Sequence, residues 1–197
     1  EKSFEATGLA VGRDYYLAYS PERIDPTNDQ YNVKNTAKVI GGIDKVSTDI
    51  CAGFYKNILS SKIFVVSNTK TAEMCKILEN SYRFVNIALI LEFAKACQKL
   101  NINVWEVIEA ANTKPYGFQA FYPGPGIGGH CIPVDPIYLT WRMKKAKVRM
   151  PLLETANKIV KLMPKYIVKR IKKIMKISKI VLSDANILLV GITYKKD

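Results

Sequence analysis

The chain has 197 residues, 48% of them hydrophobic and 24% charged, which is enough to bury a sizeable core and excludes a disordered chain. Its net charge of +13 points to an anionic partner: a nucleotide-like substrate, a nucleic acid or a membrane surface. No apolar run nears the roughly 18 to 20 residues that span a bilayer, no signal peptide opens the sequence, and one histidine with four scattered cysteines is too few for a zinc site, so a soluble, cytoplasmic, metal-free protein is expected.

In chain order, "YYLAYS" (15–20) and "KVIGG" (38–42) have the pattern of strands, "DKVSTDICAGFYKNIL" (44–59) has helical spacing, and "KIFVVS" (62–67) has the pattern of a buried strand. Strand, helix, strand in this order predicts a piece of a parallel α/β sheet. From Thr71 the pattern becomes helical. Thr71 is a candidate cap, and Ala72, Cys75, Leu78, Tyr82, Val85, Leu89, Phe93 and Ala96 recur at three- or four-residue spacing as far as Leu100. Such a helix is about 45 Å long at 1.5 Å per residue. Asn103 with Glu106 fits a capping box opening a second helix to Asn112. Pro136 suits the first turn of a third, and a long fourth runs from Pro151 to Ser178 with Pro164 inside it. "NILLVGITYKKD" (186–197) has the pattern of a strand opening a further α/β unit. With no initiator methionine and no sheet for this last strand, both ends are expected to be cuts in a longer protein.

The stretch "YPGPGIGGHCIPVDP" (122–136) surrounds Cys131 with glycines and prolines. Gly124, Gly126, Gly128 and Gly129 leave backbone N–H groups open to a phosphate, while the prolines limit the entropy lost in holding the shape. Asp135 follows closely enough to handle water or protons near the thiol. His130 adjoins Cys131, but neighbouring residues of an extended loop point apart, which disfavours a His–Cys dyad. Lys76 and Asn80 project side by side on a helix, a cation and an amide suited to a developing oxyanion. Glu22, in "YSPERI", follows a predicted strand, and loops at the carboxyl ends of parallel strands are where α/β proteins bind ligands. Residues 158–179 hold nine Lys or Arg and no acid. They fit a solvated helix face, with a nucleic-acid or membrane role as the other reading.

Taken together, "YSPERI", "KVIGG", "TAEMCKILENSYRFVNIALI", "NVWEVIEAANTKPYGFQAFYPGPGIGGHCIPVDP" and "LLVGITYKKD" resemble the UDP-glucose/GDP-mannose dehydrogenase family, and within it the UDP-N-acetylhexosamine 6-dehydrogenases. The resemblance implies an α/β protein with a large all-helical middle domain. The parts would be the end of an NAD-binding Rossmann-like domain (1–68), a helical dimerisation domain with the cysteine loop (69–180) and the first strand of a UDP-binding Rossmann-like domain (181–197). It implies a four-electron oxidation of C6 of a UDP-N-acetylhexosamine by NAD⁺, through a thiohemiacetal and a thioester on Cys131, in a homodimer without nucleic-acid or membrane partners. Lys76 and Asn80 would hold the C6 oxygen or a water, Asp135 would orient water, and Glu22 would assist thioester hydrolysis. Tyr122, Gly124, Gly126, Gly128, Gly129 and Lys195 would line the substrate pocket, and Glu22, Gly129 and Cys131 would face the cofactor.

Two departures stand out. Pro26 occupies the place of a second carboxylate found in glucose-type members, and no G-x-G-x-x-G occurs, so the chain alone is not expected to turn over. The alternative is a helical dimerisation module without catalysis.

Overall fold

The structure is a computed structural model describing residues 2–25, 28 and 30–191. It is mostly helical with one small sheet and forms two compact units, Glu1–Glu79 and Asn80–Asp197.

The first unit holds a short helix α1 (Lys2–Glu5), strands β1 (Ala18–Tyr19) and β2 (Lys38–Gly42), helix α2 (Lys45–Ile58) and strand β3 (Ile63–Val65). β2 is the central strand and is buried along its whole length. β2 and β3 pair in parallel, Val39 opposite Phe64, joined by α2 as the expected strand–helix–strand unit. β1 instead pairs antiparallel, Ala18 opposite Gly42. The reason is topological. Parallel neighbours need a long crossover, usually a helix, and the described residues between β1 and β2 form none.

Asp44 caps α2 by accepting from the Ser47 N–H at 2.6 Å. Both glycines of β2 are steric requirements. A Cβ on Gly41 would lie 2.1 Å from the Asn68 carbonyl oxygen, and one on Gly42 would lie 2.4 Å from Thr48 Oγ1.

Helix α3 (Thr69–Lys99) begins two residues before the expected cap, and the capping side chain is Asn68, whose Oδ1 accepts from the Thr71 N–H at 2.9 Å. The division between the units falls within α3, after Glu79. Its apolar residues lie on two faces. Asn80, Phe84, Ala88 and Leu91 are buried, whereas Leu78, Tyr82, Leu89 and Phe93, part of the apolar periodicity read from the sequence, are about half exposed or more. At 100° per residue the two sets lie on roughly opposite sides of the helix.

The second unit continues with α4 (Val104–Asn112), α5 (Asp135–Lys145), α6 (Pro151–Ile177) and a 3-10 turn, Leu182–Asp184. Asn101 takes a left-handed φ of 59° between α3 and α4, a conformation asparagine tolerates. Asn103 caps α4, but its bond goes to the Trp105 N–H at 3.1 Å rather than to the Glu106 N–H of a capping box. α6 runs on through Pro164, which removes one ladder hydrogen bond. Phe84, Ala88, Ile132, Leu153 and Ala156 form the buried core of this unit, with Ile127 and Ile137 packed against it. Residues 186–191 form no strand, because no partner strand lies beside them among the described residues. The rest of that expected strand, Lys195 included, lies outside the described residues, as does Pro26. No helix of the described residues is long and apolar enough to cross a membrane, and no group of three possible metal ligands stands together among them.

Candidate active site

The loop before α5 is pinned at two points. Ile132 lies in the core of the second unit and Ile127 packs against it; a fully buried isoleucine contributes about 1.5 to 3 kcal/mol, and the partly buried Ile127 less. Between these anchors Gly129 takes a left-handed φ of 92°, which a residue with a Cβ adopts only under strain. His130 and Cys131 face solvent next to the buried Ile132. The Cys131 carbonyl accepts from the Asp135 N–H at 2.8 Å and the Val134 N–H at 3.1 Å, so the thiol residue is tied to the first turn of α5. The thiol residue is therefore exposed while its carbonyl is hydrogen-bonded to the start of α5.

Asp135 opens α5, where a carboxylate suits the positive end of the helix. Its Oδ2 accepts from Asn80 Nδ2 at 2.6 Å, a charge-assisted bond across 55 residues of sequence. Asn80 is 4% exposed, so its amide is fixed by packing as well. The fold thus brings Asn80, Asp135 and the Cys131 backbone together. Lys76, half-buried, lies one helical turn before Asn80 on α3 and makes no ion pair among the described residues.

Tyr122 stacks on Trp105, with ring centroids 5.9 Å apart and planes 18° from parallel. Trp105, Pro123, Gly124 and Pro125 line a cavity of about 640 Å³ together with Tyr166 and Arg170. Cavities of about 300 to 1,000 Å³ suit small organic ligands. Trp105 and Arg170 were not among the residues expected from sequence. Trp105 stands in an amphipathic helix and Arg170 in a run of cations, where neither has a distinguishing signal. Gly124 and Gly126 have room for a Cβ, with the nearest atom 3.9 Å away at Gly124 and none within 4 Å at Gly126. Neither glycine is demanded by its own φ or by packing, in contrast to Gly41 and Gly42.

Glu22 belongs to the first unit. Its Oε1 accepts from the Arg23 and Ile24 N–H groups, both at 2.7 Å, and Lys38 Nζ lies 3.4 Å from Oε2. Partial burial pushes this carboxyl up, but the Ile24 N–H, the Lys38 ammonium and the Arg23 N–H together outweigh it and hold the carboxyl below its ordinary value. Glu22 is therefore a carboxylate at neutral pH. Because β1 is antiparallel, Glu22 lies beside the amino end of β2, where Lys38 begins the strand, and the strand-end argument for a ligand site does not apply to it. Of the other thiols, burial pushes Cys51 up, and burial with the Glu79 carboxylate pushes Cys75 up.

A small α/β piece and a helical region are features that this chain shares with solved nucleotide sugar dehydrogenases. The chain superposes on the UDP-D-ManNAc dehydrogenase of Pyrococcus horikoshii with a TM-score of 0.82 at 35% identity, covering 90% of this chain and 41% of that one. The chain matches the UDP-glucose/GDP-mannose dehydrogenase family, central domain, over residues 70–161. It is 40% identical over 187 residues to the UDP-N-acetyl-D-mannosamine dehydrogenase of Methanocaldococcus jannaschii, covering 95% of this chain and 41% of that relative. It is 34% identical over 191 residues to the UDP-N-acetyl-D-glucosamine 6-dehydrogenase of Pseudomonas aeruginosa, covering 97% of this chain and 45% of that relative. The chain spans less than half the length of these curated relatives.

Proposed function

We propose that this chain carries the thiol centre of an enzyme that oxidises C6 of a UDP-N-acetylhexosamine to the uronic acid. The observation that best supports this reading is the exposed Cys131 on a core-anchored loop, tied to the start of α5, where Asp135 is held by the buried Asn80 at 2.6 Å.

In this reading the Cys131 sulfur adds to the aldehyde carbon at C6, the C=O π bond opens, and the oxygen takes up a proton to leave a thiohemiacetal. Nicotinamide dinucleotide supplies the hydride acceptance that the alcohol and thiohemiacetal oxidations require. Water then adds to the thioester carbon, the carbon–sulfur bond breaks, and carboxylate and thiol are released. Asn80 uses one amide hydrogen on Asp135 and has a second for the developing oxyanion, which Lys76 also stabilises. Asp135 orients the attacking water, and Glu22, already ionised, assists hydrolysis. Tyr122, Gly124, Gly126, Gly128 and Gly129 receive the nucleotide sugar, with Lys195 as a further contact, and Glu22, Gly129 and Cys131 face the cofactor.

This reading assigns the dinucleotide pyrophosphate no cradle on the described residues. The glycines at the β2–α2 turn, Gly41 and Gly42, are closed off by Asn68 and Thr48. The chain's own share is the carbon–sulfur chemistry. The exposed face of α3 favours a self-complementary homodimer as the working state, since Leu89 and Phe93 are each about half exposed. Such a dimer is also the basis of the alternative reading, a non-catalytic dimerisation module.

Alkylation of Cys131 with and without UDP-N-acetylglucosamine or UDP-N-acetylmannosamine distinguishes the two. The enzymatic reading expects protection by at least one of them, and no uronic acid from the Cys131→Ser form of the NAD⁺-competent protein. Normal acid production by that variant would rule out the thioester route.

A further inference from the structure

In the second unit a groove of about 450 Å³ runs between α3 and α6, and its charged lining is of one sign: Lys95, Lys99, Lys169, Arg170 and Lys173. Each helix supplies a pair four residues apart, Lys95 with Lys99 and Lys169 with Lys173, so each pair shares a helix face. No acid lines the groove, and none of the five cations is in an ion pair among the described residues. Like charges at this spacing destabilise a helix, and here two such pairs converge on one concavity. Tyr166 shapes its floor, hydrogen-bonded to Gln98 and lying beneath the Lys95 ammonium at 5.3 Å from the ring centroid.

We propose that this groove binds a compact multivalent anion of the oligophosphate class. A phosphate chain offers several closely spaced acceptors to five cations and relieves their mutual repulsion. A nucleic acid would draw on cations strung along a longer surface. The remaining lysines of α6, among them Lys158, Lys161 and Lys165, do not line the groove. Free polyphosphate and the tail of a nucleoside triphosphate present the same chemistry. The groove adjoins the cavity beside Gly124 and shares Gln98, Tyr166 and Arg170 with it, whereas Lys95, Lys99, Lys169 and Lys173 line the groove alone.

The test is calorimetric titration of the chain with sodium tripolyphosphate, with a nucleoside triphosphate and with a short DNA duplex, at matched ionic strength. Tripolyphosphate is expected to bind, and Lys95→Gln with Lys173→Gln to weaken it at least about tenfold, as the loss of a charge-assisted contact implies. The pair Lys161→Gln with Lys165→Gln, which removes the same charge from outside the groove, is expected to leave affinity within about twofold. Equal triphosphate and tripolyphosphate affinities mean that phosphate alone is recognised, and tighter triphosphate binding identifies a nucleotide as the source. Equal effects of the two double variants, no tripolyphosphate binding, or duplex binding tighter than both small anions would overturn the proposal.

Discussion

Removing the Asn80 amide tests whether the bond to Asp135 organises the candidate site. In Asn80→Ala the 2.6 Å bond is lost from a buried side chain, and the Asp135 carboxylate loses a partner. A hydrogen bond to a charged group contributes about 1.5 to 3 kcal/mol. Asp135→Ala loses the same bond and, in addition, about 0.3 to 1 kcal/mol from its position in the first turn of α5. Each single change should therefore destabilise the second unit by about 2 to 3 kcal/mol, and the double variant by well under their sum, leaving a coupling of about 1.5 to 3 kcal/mol. The only tryptophans, Trp105 and Trp141, both lie in that unit, so urea unfolding followed by tryptophan fluorescence reports on it alone. With a urea slope of about 2 kcal/mol/M, each midpoint should fall by about 1 M. Strict additivity, with coupling below about 0.5 kcal/mol, would refute the claim that this bond ties α3 to α5.

Glu22, with its carboxyl held below the ordinary value of 4.5, contributes stability that is present above that pH and lost as pH falls through the lower folded value. Glu22→Gln should flatten the acid side of the stability profile measured by circular dichroism, by less than about 1 kcal/mol because the side chain is largely exposed. Parallel profiles for parent and variant would remove Glu22 as a source of pH dependence. Gly41→Ala should destabilise the first unit by about 3 kcal/mol or more, since its Cβ meets the Asn68 carbonyl at 2.1 Å. Gly126→Ala should unfold within about 0.5 kcal/mol of the parent yet reduce nucleotide-sugar protection of Cys131. Unchanged protection would show that no ligand approaches that glycine. Leu89→Asp places a charge on the exposed face of α3 and should shift sedimentation from dimer to monomer at micromolar concentration. A parent that is monomeric at every concentration would exclude the dimer.

Local chemistry made much of this protein legible from its residues alone. The helix starts fall within two residues of the capping and proline positions in the sequence, although at α3 the cap is Asn68 rather than Thr71. Cys131, Asp135 and the glycines stood out because a stiff, side-chain-poor frame around a thiol has few structural uses. Lys76 and Asn80 were linked by helical spacing, which is a property of the chain itself. Other features depended on which surfaces met in three dimensions. The α3 sequence carries apolar residues on opposite sides, and only packing decided that Phe84, Ala88 and Leu91 face the core while Leu78, Tyr82, Leu89 and Phe93 do not. The antiparallel setting of β1 followed from a connection that holds no crossover helix among its described residues. The bond from Asn80 to Asp135 spans 55 residues, and the cation groove of α3 and α6 joins two lysine pairs that each look like an ordinary solvated face. Periodicity and capping are properties of neighbours along the chain, so they can be read in one dimension. The choice among chemically equivalent faces is made by contacts between distant segments, which only the folded chain supplies.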